Sequence, residues 1–134
     1  MRSHGRSLSA MTVIDTRVSL LDELMVDGVL SAACPSRVVL DHISSKWGVL
    51  VLVALAERGQ RWGELRRTVE GISEKMLAST LRTLEQDGLV LREAQPTIPP
   101  RVDYSLTPLG QELATVLLPL VGWVARNAAR IVGD

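Results

Sequence analysis

The hydrophobic positions of this 134-residue chain recur at helical spacing over most of its length. The first stripe, from about Thr12 to Leu30, predicts an N-terminal helix with a single apolar face. The residues of this stripe are Ile14, Val18, Leu21, Leu24 and Met25. Because no neighbouring segment is obviously able to cover that face, we expect it to pack against a second subunit or against the last helix.

A second helix is predicted to begin at Pro35, which suits a first helical turn, and to break or bend at Ser44–Ser45. Its apolar positions are Val38, Val39, Leu40, Ile43 and Trp47. The following run, Gly48–Ala56, is almost entirely apolar and would also fit a buried strand. Its helical spacing and the stop at Arg58–Gly59 favour a central buried helix.

The next segments predict a short helix, a turn and a longer helix with two distinct faces. The short helix runs from Trp62 to Val69, the turn lies at Gly71, and the longer helix spans about Ser73 to Gln86, with Ser73 as its N-terminal cap. The core stripe of the longer helix consists of Leu77, Leu81 and Leu84. At about 100° per residue, the opposite face carries Lys75, Ser79, Arg82 and Gln86.

Two short strands and a last helix follow. The segments Leu89–Glu93 and Val102–Leu106 have the composition of strands, and the loop between them contains three prolines and an arginine. Thr107 caps the last helix, which has Pro108 at its first position and should kink at Pro119. The broad apolar face of this helix consists of Leu109, Leu113, Val116, Leu117, Leu120, Val121, Val124, Ala128 and Ile131.

This order of elements predicts a mainly α-helical fold with a small β-hairpin, that is, a winged helix-turn-helix with flanking N- and C-terminal helices. We expect residues 1–11 to form a flexible arm and residues 12–134 to form a single domain. Within that domain, residues 12–33 would be the N-terminal helix, residues 34–107 the DNA-binding core and residues 108–134 a dimerisation helix.

In a winged helix-turn-helix, the longer helix enters the major groove and the hairpin reaches the adjacent backbone. The residues expected to contact base edges are Lys75, Ser79, Arg82 and Gln86. The residues expected to contact phosphates are Lys46, Arg61, Arg66, Ser73, Arg92 and Arg101. The alternative is that these cations only decorate a solvated surface, as exposed Lys and Arg usually do.

Composition adds little support for a nucleic-acid partner. The chain has 15 basic and 15 acidic residues, so its net charge is zero, and overall charge does not indicate DNA binding. The longest uninterrupted apolar run, Val49–Ala56, is too short to cross a bilayer, and no secretion signal is evident. We therefore expect a cytoplasmic protein with no membrane partner.

The sequence contains no recognisable motif for catalysis or metal binding. His42 is expected to be a half-buried, hydrogen-bonded histidine, and neither it nor His4 has other metal ligands around it. Without a phosphate loop, a nucleophile turn or an acid–base pair, we expect no enzymatic activity, catalytic residue, metal or cofactor. The large residues expected in the core, or around a cavity for a hydrophobic effector, are Met25, Trp47, Met76 and Trp123.

A series of short motifs runs in order from about residue 34 to residue 123. They are Cys34-Pro35, Lys46-Trp47, Gly63-Glu64-Leu65-Arg66-Arg67, Gly71-Ile72-Ser73, Lys75-Met76-Leu77, Leu81-Arg82, Leu84-Glu85, Asp87-Gly88-Leu89-Val90, Pro99-Pro100-Arg101-Val102, Tyr104-Ser105-Leu106-Thr107 and Leu109-Gly110. Together they resemble the HxlR family of bacterial winged-helix regulators. The resemblance implies a homodimer assembled through the flanking helices, with the helix from Ser73 to Gln86 in the groove of a pseudo-palindromic operator.

Cys34 is a candidate sensor. A thiol just ahead of a helix N-terminus feels the helix dipole, which favours the thiolate that oxidants and electrophiles attack. The resemblance implies the same role, because in some family members the equivalent cysteine senses oxidants, quinones or aldehydes. With one cysteine in the chain, a disulfide would need the partner subunit's Cys34 or a small-molecule thiol. The alternative is an inert buried cysteine.

The sequence therefore predicts a homodimeric, sequence-specific DNA-binding transcription regulator, either a repressor or an activator. Its effector would be an oxidant or electrophile acting at Cys34, or a hydrophobic small molecule. The alternative is a winged-helix protein-interaction module without DNA binding, which the zero net charge would favour.

Overall fold

A computed structural model of the chain describes residues 20, 22, 28 and 30–133. The chain forms two compact units, residues 1–41 and residues 42–134. The predicted arm lies outside the described residues, as does most of the predicted helix from Thr12 to Leu30.

The described part of the first unit leads into helix α1, Pro35–Ser44. A turn precedes the helix, in which the Ser31 N–H donates to the Gly28 carbonyl at 2.8 Å. The half-buried Cys34 comes directly before α1, and its carbonyl accepts a hydrogen bond from the Arg37 N–H at 2.9 Å. The predicted position of Cys34 just ahead of a helix is confirmed.

The second unit contains the remaining helices and strands. In chain order they are α2 Lys46–Glu57, β1 Gln60–Arg61, α3 Trp62–Thr68, α4 Glu74–Gln86, β2 Val90–Gln95, β3 Arg101–Leu106 and α5 Pro108–Val132. The most deeply buried side chains of its core are Val51, Leu52, Leu55, Leu65, Leu77 and Leu84. Because three of these lie in α2, the apolar run that could have been a strand is the central buried helix, as predicted.

The predicted break between α1 and α2 lies at Ser45. Its hydroxyl accepts a hydrogen bond from the Gly48 N–H at 3.1 Å and donates one to the His42 carbonyl at 3.0 Å, so it caps α2. A Cβ at position 48 would overlap the same carbonyl, which explains the glycine there. Trp47 was assigned to the helix before the break, and this was wrong because Trp47 lies in the first turn of α2.

In the described residues, the strands form one antiparallel sheet in the order β1-β3-β2. Strands β2 and β3 pair from Val90↔Leu106 to Gln95↔Arg101, so the hairpin is confirmed, and each strand is one residue longer than predicted. The prediction omitted β1, which pairs Gln60 with Tyr104 and Arg61 with Asp103. We call β2, β3 and the connecting residues 96–100 the wing.

Helix α5 begins as predicted, with the Thr107 hydroxyl accepting a hydrogen bond from the Gly110 N–H at 3.0 Å. The same hydroxyl donates to the Gly88 carbonyl at 2.6 Å, and the Thr107 N–H donates to the Leu89 carbonyl at 3.1 Å. A Cβ on Gly110 would overlap that Leu89 carbonyl. The start of α5 is therefore held closely against the segment that ends α4. Pro119 lies within α5 without ending it.

Most of α5 beyond its first turns faces outward. Its buried residues are Gly110, Ala114 and Leu117, whereas Trp123 is 51% exposed. The expectation that Trp123 and Met76 lie in the core was wrong, since Met76 on α4 is also 41% exposed. By length and composition α5 could cross a membrane, with a mean hydropathy of 1.3 in a window of which 17% is buried. The longest apolar run in the sequence does not indicate this helix, because Pro119 and Gly122 interrupt its apolar residues between Val116 and Ala125.

Candidate nucleic-acid interface

Helix α4 has the two faces that the sequence predicted. Ser73 caps it by accepting a hydrogen bond from the Met76 N–H at 3.1 Å, and Gly88 follows its end with a positive φ of 76°, a conformation that favours glycine. Its core stripe of Leu77, Leu81 and Leu84 is buried. The predicted base-contacting residues are all exposed on the other side of the helix: Lys75, Ser79, Arg82 and Gln86.

The C-terminal end of α4 is tied to the end of α1. Asp87, the last-turn cap of α4, lies 2.7 Å from His42 through its Oδ2 and the histidine Nδ1. Both side chains are partly shielded from solvent. The expectation of a half-buried, hydrogen-bonded histidine is confirmed.

Arginines surround the N-terminal part of α3, the short helix before α4. The Glu64 carboxylate accepts a hydrogen bond from the Arg61 N–H at 2.9 Å and lies 3.4 Å from the Arg58 guanidinium. The backbone hydrogen bond from Arg61 and the nearby Arg58 guanidinium hold the pKa of Glu64 below its ordinary value. Glu64 therefore stays ionised at neutral pH and orients the side chains of Arg58 and Arg61.

The other predicted phosphate contacts lie on α2, α3, α4 and the wing. Arg66 forms an exposed ion pair with Glu74 at 3.4 Å, and the Arg101 Nε lies 2.9 Å from the Asp103 Oδ1. The Lys46 ammonium lies over the Trp47 ring, 4.5 Å from its centroid. Arg92 is exposed on β2 and Ser73 is engaged as the cap of α4. Exposed ion pairs of this kind are weak, so these cations remain available to an anionic partner.

The wing brings Arg101 close to α3 through the short strand β1. Because Arg61 pairs with Asp103, the chain leaves β1 into α3 directly beside the base of the wing tip. The tip carries Ile98, which is fully exposed, and a hydrogen bond from the Thr97 hydroxyl to the Pro99 carbonyl at 2.9 Å. The proline-containing tip of the wing is thus next to the helix-turn-helix.

These elements occur in the order helix, strand, helix, turn, helix and hairpin. Comparison with known families shows which family has this arrangement. The sequence pattern of the HxlR-like helix-turn-helix family matches residues 42–131. The chain belongs to this family. The match covers α2, the helix-turn-helix of α3 and α4, the wing and nearly all of α5.

Relatives of this HxlR-like protein are helix-turn-helix transcription regulators. It is 46% identical over 117 residues to the HTH-type transcriptional regulator YtfH of Escherichia coli, an alignment that covers 87% of this chain and 93% of that protein. A solved structure of the transcriptional regulator YtfH from Salmonella typhimurium matches 78% of this chain and 94% of its own, with a TM-score of 0.74 and 46% identity. The redox regulator HypR in its oxidised form matches 70% of this chain and 97% of its own, with a TM-score of 0.65 and 37% identity.

The family, the fold and the relatives agree on the class of protein. This HxlR-like protein is a DNA-binding transcription regulator with a winged helix-turn-helix fold, as the sequence predicted. The alternative of an interaction module without DNA binding receives no support from relatives that are named as transcription regulators.

One part of the surface of this HxlR-like protein was not predicted. Trp62, Gly63 and Arg67 of α3 face the wing tip across a cleft with a volume of about 710 Å³. Sequence reasoning assigned Trp62 and Arg67 no role, because only the pairing of β1 with β3 brings α3 beside the wing. The family-like motif around Gly63-Glu64-Leu65-Arg66-Arg67 was the one available signal for these positions.

Proposed function

We propose that this regulator reads an operator with the outward face of α4, inserted into the major groove of DNA. The observation that carries the proposal is the exposed row of hydrogen-bonding side chains opposite the buried leucine stripe. Arg, Lys, Gln and Ser can all bond to base edges in the major groove. The residues proposed to read bases are Lys75, Ser79, Arg82 and Gln86.

Phosphate contacts on both sides of α4 would set its position in the groove. Arg61 of β1 and Arg66 of α3 precede α4, and Arg92 and Arg101 follow it on the wing. Contacts of this kind fix the register of a protein on DNA without reading sequence. The residues proposed for this role are Lys46, Arg61, Arg66, Ser73, Arg92 and Arg101.

Binding to the DNA upstream of the regulator's own gene tests the reading helix. Replacing Arg82 by Ala should weaken operator binding by about 2 kcal/mol and relax specificity at the position it reads. The matched control is Arg130→Ala, which removes the same charge from the exposed last turn of α5. Equal operator affinity of wild type and Arg82→Ala, measured by fluorescence anisotropy against competitor DNA, would contradict the proposed role of this face.

The apolar outward face of α5 is proposed to pack against α5 of a second copy. At about 100° per residue, the exposed apolar residues that share this face are Leu109, Val116, Leu120, Trp123, Val124 and Ile131. A contiguous apolar surface of this extent is characteristic of a protein or membrane interface, and two reading helices related by a two-fold axis suit a pseudo-palindromic operator.

Sedimentation of a variant with a charge on this face separates the possible occupants. Val124→Glu should convert a dimer to a monomer, whereas Glu112→Gln, near the start of the same helix, should leave the dimer intact. A monomeric wild type that floats with phospholipid vesicles would show that a membrane, not a second copy, covers α5. The proposed cytoplasmic location predicts no flotation.

Cys34 is proposed to control DNA binding by oxidation. The support is its half-buried place directly ahead of α1 and the likeness to HypR, which is named a redox regulator. Oxidant should change operator affinity of the wild type, and Cys34→Ser should abolish that change while preserving binding in reductant. An unchanged oxidant response in Cys34→Ser would exclude this thiol as the sensor. No catalytic, metal or cofactor role is proposed for any residue.

A further inference from the structure

The cleft between α3 and the wing tip has the chemistry of a small-molecule site. Three arginines line it, Arg61, Arg67 and Arg101, together with the single acid Glu64. It is a cleft open to solvent, and its volume of about 710 Å³ lies in the range of small-molecule sites. The cleft is therefore large enough for a ligand and carries an excess of positive charge.

Arg67 differs from the other two arginines of the cleft, each of which has an acidic neighbour. Arg61 shares the Glu64 carboxylate with Arg58, and Arg101 is held by Asp103. Within the described residues, no carboxylate lies within salt-bridge distance of Arg67. An arginine in a cleft can bind a carboxylate with two parallel hydrogen bonds.

The remaining walls of the cleft are apolar. The partly buried Trp62 packs against the core and lines one side, and Ile98, Pro99 and Val102 line the wing side. Gly63 lies beside Arg67, and a Cβ at this position would approach Nη1 of Arg67 at 3.5 Å. A hydrated inorganic anion would not use these walls, whereas an aromatic ring could pack against them.

We propose that this cleft binds an amphipathic organic anion, an aromatic carboxylate, with its carboxylate on Arg67 and its ring between Trp62 and the wing tip. We propose further that the ligand regulates DNA binding, and this part rests on the proposed function. Arg61 and Arg101 line the same cleft and are proposed phosphate contacts, so a bound anion neutralises part of the surface that meets DNA. The ligand and the operator therefore oppose each other's binding.

Titration of the full chain with benzoate tests the site, followed by the Trp62 indole and Arg67 side-chain signals in nuclear magnetic resonance spectra at constant ionic strength. Benzoate should bind at least about tenfold more tightly than benzamide or inorganic phosphate, because only benzoate offers both a carboxylate and a ring. Equal binding of phosphate would identify a phosphate site and overturn the proposal. Equal binding of benzamide would overturn the role of the arginine.

Two variants with the same loss of charge separate this site from the reading helix. Arg67→Gln should weaken benzoate binding about tenfold, whereas Arg82→Gln should change it less than about twofold. Arg82→Gln should instead lose operator affinity, so a failure of the DNA proposal shows in that variant alone. Unchanged benzoate affinity in Arg67→Gln would overturn the ligand site.

The proposed effect of the ligand on DNA binding is tested by a separate measurement. Benzoate should lower operator affinity of the wild type and have a smaller effect on Arg67→Gln, with sodium chloride as the ionic-strength control. If benzoate binds and operator affinity is unchanged, the coupling to DNA is overturned.

Discussion

Helices α4 and α5 both bury one stripe in the same core, yet they present opposite surfaces to the outside. Helix α4 leaves lysine, serine, arginine and glutamine exposed, whereas α5 leaves leucine, valine and tryptophan exposed. The inward stripes are alike in spacing and differ in size, since α4 buries three leucines and α5 buries Gly110, Ala114 and Leu117. The contrast shows that the buried stripe fixes a helix in the fold, while the exposed face is free to differ. We propose DNA as the partner of the α4 face and a second copy as the partner of the α5 face.

Salt should separate the two surfaces most strongly. Raising KCl from about 50 to 200 mM should lower operator affinity on the order of 10³-fold, because bound cations are displaced from about six or more phosphates. The association of two copies through α5 should stay constant or strengthen, since apolar burial is not screened. Anisotropy with operator DNA and sedimentation equilibrium at the same salt concentrations measure both. A dimer that weakens in parallel with DNA binding would show that charge, not apolar contact, holds it.

Removing a leucine from the inward stripe of α4 should cost stability, and removing an outward residue should not. Leu77 is 0% exposed, so Leu77→Ala should lower the free energy of unfolding by about 3 kcal/mol. Ser79→Ala, on the outward face, should stay within about 0.5 kcal/mol of wild type and reduce operator affinity instead. Urea unfolding followed by circular dichroism checks the pair, and similar losses in both variants would contradict the division of faces.

Replacing a glycine of α5 by alanine should destabilise the protein at the start of the helix but not near its middle. Gly110→Ala would place a methyl group on the Leu89 carbonyl and should lower the free energy of unfolding by about 2 kcal/mol. Gly122→Ala would meet only the flexible end of Arg126, at 3.2 Å, and should raise stability by about 0.5 kcal/mol through helix propensity. Thermal unfolding of both variants is the measurement. A stable Gly110→Ala protein would mean that α5 can move away from Leu89.

The N-terminal caps of the two helices should differ by a smaller amount. Ser73 makes one capping bond to Met76, so Ser73→Ala should cost about 1 kcal/mol. Thr107 caps α5 and also donates to the Gly88 carbonyl, so Thr107→Ala should cost about 1.5 kcal/mol. Urea midpoints of the two variants, with Thr115→Ala in α5 as the control, test the order. A larger loss for Ser73→Ala would reverse it.

The smallest effect concerns the charge between the wing and α3. Because the pKa of Glu64 is lowered in the folded protein, its ionisation stabilises the fold above its unfolded value of about 4.5. That contribution is lost as pH falls through the lower folded value. Glu64→Gln should therefore be less stable than wild type at pH 7, and the two should converge below about pH 4.5. A difference in urea midpoint that is the same at pH 7 and pH 3 would contradict the assignment.

The periodic parts of this fold were predictable, and the parts fixed by tertiary hydrogen bonds were not. Leucine spacing was sufficient to predict both faces of α4. Strand β1 has only two residues, so it shows no hydrophobic pattern. Its buried residue, Gln60, is polar, and its side chain is hydrogen-bonded to the Ala54 carbonyl and the Thr68 hydroxyl. Trp123 was misplaced for a related reason, since an apolar stripe does not say whether its own chain or another covers it.

The cleft could not be predicted because its two walls are far apart in sequence. The motif containing Arg67 and the proline-rich tip are separated by about thirty residues, and only the register of β1 on β3 brings them together. Counting acidic and basic residues could not predict which of them form ion pairs, such as Arg66 with Glu74. The sequence could indicate which residues carry charge, whereas the fold determines which of them lie together.

The bonds that Thr107 makes to Gly88 and Leu89 join the end of α4 to the start of α5. The helix proposed to read the groove and the helix proposed to face the second subunit are thereby joined at one backbone junction. Binding free energies linked through such a junction are reciprocal, so an operator that favours one spacing of the reading helices must favour subunit pairing by the same factor. Half-site spacing in the operator would then act as an allosteric input, and operators that differ by a single base pair in spacing would stabilise the same dimer to different degrees.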